Sequence, residues 1–297
     1  MKTAKVNARD AELFDVVNTS ILILILAVVL YPLIFIVSAS LSSSNKVLLG
    51  EIVLLPKEFS VESYIRVFSD KSILSGFKNT FMYTAVGTSV NVFMSVLAAY
   101  PISRKSFAIR NVMMFFITFT MLFSGGLIPS YLVIRSLGLL DNFWVMVLPS
   151  ALSVGNIIIM RTFFQTTIPN ELYEAAYIDG CSNILALTQI VLPLSKAIIA
   201  VIGLFYAVGH WNSYFNALIY LKTESKFPLQ LVLRSILIKN VLTTDMFADA
   251  NIMGEQQNYA ESIKYSVIIV SSLPVMLIYP FIQKYFVKGV MIGAIKG

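Results

Sequence analysis

The chain of 297 residues is 57% hydrophobic and 13% charged, with a mean hydropathy of +0.80; ordinary soluble domains carry about 25% charged residues. Its net charge of +6 comes from Lys and Arg scattered between apolar runs, with no basic stripe interleaved with aromatics, which argues against a nucleic-acid partner. A single cysteine, Cys181, and a single histidine, His210, rule out an internal disulfide and a Cys-rich zinc site and leave no cofactor or metal chemistry in view.

A helix needs about 20 predominantly apolar residues to cross a hydrocarbon core of about 30 Å. Six stretches meet that requirement, at 16–37, 80–102, 112–134, 144–164, 197–221 and 265–282. The predicted fold is therefore all-α and integral to the membrane, six transmembrane helices forming one lipid-embedded domain over 1–297. The first stretch is too long for the apolar region of a secretory signal, and the serine-rich run after it lacks a small-residue cleavage pattern, so it reads as a retained helix. Pro32 in the first span, and Gly125, Gly126 and Pro129 in the third, read as kinks of the kind that lipid-spanning helices tolerate.

Between the spans, 38–79 and 222–264 are longer than bare connections need to be, and 135–143 is short. Basic residues are retained on the cytoplasmic side. With an even number of spans both termini share a side, and that side holds eleven basic residues against six acids, while the other holds eleven against ten. The tight loop carrying Arg104, Lys105 and Arg110 is the clearest vote. Both termini and the loop at 165–196 are thus expected in the cytoplasm.

That loop carries the most informative residues of the chain. Pro169 suits a helix start, Glu171 places an acid in the first turn where the helix dipole favours it, and Gly180 supplies a left-handed stop. Ala175 and Ala176 present almost no side chain to an approaching surface, and Leu172 adds an apolar contact one turn earlier. Ser182 begins a second helical piece that ends at Pro193. With no Lys or Arg between Pro169 and Gly180, this is not a basic helix lying on lipid headgroups. It reads as a knob on which a partner pulls.

The run Glu174, Ala175, Ala176, then Gly180, then Ile190, Leu192 and Pro193 resembles the signature loop of the membrane subunits of bacterial ABC importers, and every specified position agrees. Phe163, Phe164, Ile168, Pro169, Glu171, Leu172, Ile178, Asp179 and Ser182 around it are similar to the carbohydrate-importer branch; Cys181 stands where that branch often has alanine. Phe123 to Pro129, His210 to Tyr220 and Phe227 to Gln230 resemble its maltose-type permeases, and within them the subgroup serving complex or acidic oligosaccharides. The resemblance covers nearly the whole chain. It implies the type I importer permease fold, with a cytoplasmic coupling helix between the fourth and fifth spans. It also implies a bacterial plasma-membrane location and a pore shared with a second, related permease. The other implied partners are two cytoplasmic ATPase subunits, an extracytoplasmic solute-binding protein and an oligosaccharide substrate moved by alternating access. The implied ATPase-coupling set is Glu171, Glu174, Ala175, Ala176, Asp179, Gly180, Ile190, Leu192 and Pro193. Gly289, Gly293 and Gly297 resemble a tail that reaches between the ATPase subunits.

The residues themselves support that division of labour. The chain has no G-x-x-x-x-G-K-[ST] phosphate loop, so it is no ATPase and its energy must come from a partner. For sugar contacts, polar and aromatic groups inside apolar spans are the candidates, because burying them is unfavourable unless they meet partners or water. His210, Trp211, Asn212, Tyr214 and Asn216 form the densest set, followed by Tyr83, Asn91, Ser153 and Asn156. Against these stands the reading of a helix-to-helix hydrogen bond, common in membrane bundles. A channel or ion-coupled transporter is the competing class; it would need intramembrane charge along its path, and none lies mid-span. A membrane enzyme would need converging nucleophile, base or metal ligands, which one histidine does not supply.

Overall fold

The computed structural model describes residues 8–236, 263–280 and 283, with side chains from residue 14. Among the described residues regular structure is helical, apart from one isolated bridge between Ser42 and Phe59. The described residues divide into two compact units: 8–70 with 236 and 263–272, and 71–235 with 273–280 and 283.

The first unit is built on α1 (Ala8–Ser40). Its 18-residue apolar window has a mean hydropathy of 3.1 with none of it buried. A helix apolar on every side, whose central window the described residues leave uncovered, suits contact with lipid or another subunit. Where α1 ends, its serines are buried and tie the following loop into a knot. Ser38 Oγ donates to the Leu54 carbonyl at 2.5 Å, Ser63 Oγ donates to the Ser40 carbonyl at 2.9 Å, and Ser42 Oγ accepts the Lys57 N–H at 3.0 Å. Two short helices, α2 (Ser44–Leu48) and α3 (Glu62–Ser69), sit on this loop.

The axis of the second unit is α4 (Lys71–Ser103), whose 33 residues make it about 50 Å long at 1.5 Å per residue. α5 (Arg110–Leu122) and α6 (Leu127–Ser136) follow and meet at 113°. The expected kink at Gly125 and Gly126 is therefore a full break. Gly126 adopts φ +81°, a left-handed conformation that side chains resist. Pro129 then falls in the first turn of α6, where a missing N–H leaves no bond unmade.

Two 3₁₀ turns, Phe143–Met146 and Leu148–Ser150, lead at 53° into α7 (Val154–Thr167). α8 (Asn170–Ile178) is the predicted loop helix. After it come α9 (Asn183–Ala186), a wide π turn (Leu187–Val191) and α10 (Leu192–Leu194). α11 (Lys196–Trp211) leaves this segment at 83°, and α12 (Phe215–Tyr220) follows a break at 212–214 that the sequence reading of 197–221 as one helix lacked. A helical stretch at 229–236 and the helix Ile263–Pro280 complete the described elements.

α4, α7 and α11 enclose the main core, where Ala99, Ile102, Met160, Phe164, Val191 and Ile202 are almost wholly buried. Between lipid-embedded helices such burial stabilises through close packing and not through removal of apolar surface from water.

At the other end of α4, polar groups hold the loop after α12. Asn79 Nδ2 donates to the carbonyls of Ser225 and Phe227 at 2.7 and 3.0 Å, Tyr83 Oη donates to that of Lys226 at 2.9 Å, and Thr80 Oγ1 accepts the Leu229 N–H at 2.8 Å. Asp141, at φ +54°, accepts from the N–H groups of Lys222 and Thr223, from the Thr223 hydroxyl and from Lys226 Nζ. These hydrogen bonds, the Thr223 hydroxyl foremost, hold its carboxyl well below the usual carboxylate range. A depressed pKa contributes stability that is present above the unfolded-state value and lost as pH falls through the folded one. Asp141→Asn is thus expected to loosen the 222–226 loop at neutral pH. Hydrogen exchange of the Lys222 and Thr223 amides checks this, and unchanged protection at pH 7 would contradict it.

Candidate coupling site and substrate path

α8 starts and stops for local reasons. Pro169 takes φ −60° and ψ 145° as the entry residue and Glu171 occupies the first turn. At the far end Gly180 sits at φ +76°. Its N–H donates to the Tyr177 carbonyl at 3.1 Å, and the Cys181 N–H donates to that of Ala176 at 2.8 Å. This pair of bonds is a Schellman stop, which satisfies carbonyls that a helix end otherwise leaves open. Two residues later Ser182 caps α9, accepting the Leu185 N–H at 3.3 Å.

The chain then widens into the π turn, which holds Ile190, before Leu192 and Pro193. In a regular helix the ring of Pro193 would clash with the carbonyl of Gln189 four residues back. A wider turn moves that carbonyl aside. Leu192 packs on the core while Pro193 is exposed, and Ile190 is half-buried.

The faces of α8 differ sharply. Tyr173 and Ala176, three residues apart, turn inward and are 7% and 9% exposed. Ala176 thus anchors the helix to its own body, whereas the sequence reading placed it with Ala175 on the outer, smooth face. Glu171, Leu172, Glu174, Ala175, Asp179 and Gly180 are exposed. So are Tyr177 and Ile178, at 82% and 83%, and Ile184 at 75%, groups outside the coupling set expected from the sequence.

Anchoring also involves residues the sequence reading missed. The Arg104 guanidinium lies 3.1 Å from the centre of the Tyr173 ring, a cation on an aromatic face. Burial pushes the Tyr173 phenol up, and Arg104 pulls the other way. Tyr100 Oη donates to the Asn183 carbonyl at 3.1 Å. From α7, Arg161 Nε and Gln165 Nε2 donate to the carbonyls of Ile102 and Ser103, at 3.1 and 3.4 Å. Those are open carbonyls at the C-terminal end of α4, which cations suit. The loop helix is thereby strapped to the end of the longest helix in the unit.

The expected substrate-path residues separate into two groups. Tyr83, His210 and Trp211 are buried, at 3%, 5% and 8% exposure. Tyr83 sits beside Phe143 and bonds Lys226, and the Trp211 ring lies 6.4 Å from that of Phe77. The His210 ring presses on Gly87, so closely that a Cβ there would overlap it. In this arrangement all three pack between helices, and Trp211 also borders a small apolar cavity with Ala207 and Pro274. Asn91 is likewise buried, donating to the Ser150 carbonyl at 2.9 Å. By contrast, Asn212 and Tyr214 are exposed, and Asn216 and Asn156 half-buried. Asn212 Nδ2 bonds back to the Val208 carbonyl at 3.0 Å, and Arg234 lies 5.2 Å from the Tyr214 ring.

Tyr206 was missed altogether. Its hydroxyl bonds Ser95 Oγ at 2.7 Å and accepts the Ser153 N–H at 3.0 Å, joining α4, the start of α7 and α11. A polar tip one turn before His210 on the same face was the available signal. Gly289, Gly293 and Gly297 lie outside the described residues.

Residues 91–292 match the family described as the binding-protein-dependent transport system inner membrane component. The chain belongs to that family. Two Bacillus subtilis relatives extend the match over nearly the whole chain. The polygalacturonan/rhamnogalacturonan transport system permease YtcP is 42% identical over 287 residues, 96% of this chain and 99% of the relative. Protein LplC is 40% identical over 291 residues, 98% and 97% of the two chains. Among solved structures, a chain of a bacterial ABC transporter involved in import of the acidic polysaccharide alginate is 34% identical, with a TM-score of 0.85 over 96% of this chain and all of that one. The permease is thus a multi-pass membrane component of an ABC importer, with the all-α type I permease fold.

Proposed function

We propose that this permease forms half of a pore for acidic oligosaccharides, paired with a second, related permease and supplied by an extracytoplasmic binding protein. Two cytoplasmic ATPase subunits drive it, and one of them grips α8. Both termini lie in the cytoplasm, as the basic loop at Arg104, Lys105 and Arg110 favours. The chain itself hydrolyses nothing.

The observation that carries this reading is the build of the knob. α8 is held from behind by Tyr173 and Ala176, stopped sharply at Gly180, and offers Tyr177 and Ile178 almost fully uncovered. A rigid element with exposed apolar groups at its tip fits insertion into a groove on another protein. Glu171, Glu174, Ala175 and Asp179 supply its polar flank, and Ile190, Leu192 and Pro193 set the angle of the return to α11. Motion of the gripped knob is passed to α4 through Tyr100 and Arg104 and biases two packings of the pore.

The substrate class follows from the relatives that move pectic or alginate polymers. Asn212, Tyr214, Asn216 and Asn156 are the path residues that the geometry favours, since they are not sealed inside the core. Uptake into vesicles separates this from an ion-coupled transporter or channel. Labelled oligogalacturonate is expected to enter only when the companion permease, ATPase, binding protein and ATP are all present. Uptake driven by an ion gradient without the ATPase would overturn the proposal.

A further inference from the structure

A cleft at the base of α8 lies apart from its exposed tip. It measures about 260 Å³ and lies among the C-terminal ends of α4 and α7, the N-terminus of α5 and the first turn of α8. Four cations line it, Arg104, Lys105, Arg110 and Arg161, together with Gln165 and the apolar Phe164 and Ile168; no acid does. None of the four makes an ion pair among the described residues. Each arginine's known bond goes to a neutral carbonyl or an aromatic ring: Arg161 to Ile102, Arg110 Nη1 to Arg104 at 3.4 Å, Arg104 over Tyr173. Arg104 Nε is buried with no hydrogen-bond partner. The first turn of α8, which has no side-chain cap, borders the cleft through Asn170 and Tyr173.

We infer that this cleft binds the phosphate of an anionic phospholipid headgroup. Four cations on one cleft with no ion pair among the described residues favour an anion, and a phosphate oxygen cluster accepts several guanidinium and ammonium donors at once. The cleft lies at the ends of apolar helices, the depth at which headgroup phosphates stand, and basic pockets between spans on the cytoplasmic side are built for them. Its walls stop at Asn170 and Tyr173, short of the exposed Tyr177 and Ile178, so the ATPase tip is left free. A bound headgroup would brace the base of α8 against α4 and α7. The inference rests on the cytoplasmic placement of α8 proposed above.

The assembled transporter in phosphatidylcholine nanodiscs, titrated with phosphatidylglycerol and read by native mass spectrometry, tests it. Lys105→Gln is expected to raise half-saturating phosphatidylglycerol about fivefold, and Lys105→Gln with Arg110→Gln about 25-fold, at roughly a factor of five per cation. Lys105 is exposed and carries the test alone should the pair fail to assemble. ATPase co-purification, measured on the same variants, reports on docking separately and should not change. Equal phosphatidylglycerol affinity in parent and variants would overturn the site. Displacement of the lipid by inorganic phosphate at matching concentration would assign it to a soluble anion, and cross-linking of Lys105 to an ATPase carboxylate would assign it to the partner; either overturns the lipid reading.

Discussion

Gly180→Val should abolish ATP-driven uptake while leaving the permease inserted in the membrane. The residue stands at φ +76°, where a side chain strains the backbone by about 1–2 kcal/mol, more for a β-branched one. A Cβ there would meet nothing within 4 Å in this chain, so the strain at the position itself is conformational. To relieve the strain the chain must leave the left-handed region. That breaks the bonds from Gly180 to Tyr177 and from Cys181 to Ala176, each worth about 1 kcal/mol. The loss falls on one turn of a nine-residue helix, too short to hold its shape without tertiary support. Its tip, Tyr177 and Ile178, then no longer presents a fixed surface. Asparagine tolerates the left-handed region better than other side chains, so Gly180→Asn should retain much of the uptake. The two variants together separate backbone geometry from mere change of residue. ATPase co-purification and vesicle uptake both at the parental level in Gly180→Val would refute the knob as the point of attachment.

What could be read from the chain, and what could not, follows the range of the interactions. Pro169, Glu171 and Gly180 act within one turn, and α8 runs between them much as their chemistry dictates. The length and apolarity of α1 and α4 are equally local properties. The inward turn of Ala176 was not legible, because only the contact of Tyr173 with Arg104, far apart in sequence, decides which face of α8 packs. The same holds for His210 and Tyr83. Their polarity suggested a path, but the partners that cover them, Gly87 and the Lys226 loop, are brought there by the fold. At Gly125 and Gly126 the sequence showed weakness in a helix without showing its outcome. A kink and a 113° break begin from the same residues, and the left-handed Gly126 decides between them.

The second large effect is expected at Gly87, in the contact between α4 and α11. A Cβ built there would fall within the imidazole of His210, which is 5% exposed and cannot swing aside into open space. Close approach of two helices at a small residue is how membrane helices gain packing contacts. Gly87→Val should therefore force the helices apart, at about 1–3 kcal/mol for overpacking, and lower the thermal stability of the purified complex. His210→Ala alone should destabilise through the cavity it leaves. Combining Gly87→Ala with His210→Ala distinguishes packing from sugar contact. If the ring only fills the space above Gly87, the alanine methyl partly fills the vacated space. The double variant is then more stable than the sum of the single effects predicts, with an interaction energy of about 0.5–3 kcal/mol. Transport should recover with stability. Were His210 a ligand for the substrate, transport would stay lost in the double variant even with stability regained, and the role assigned to the ring would fall.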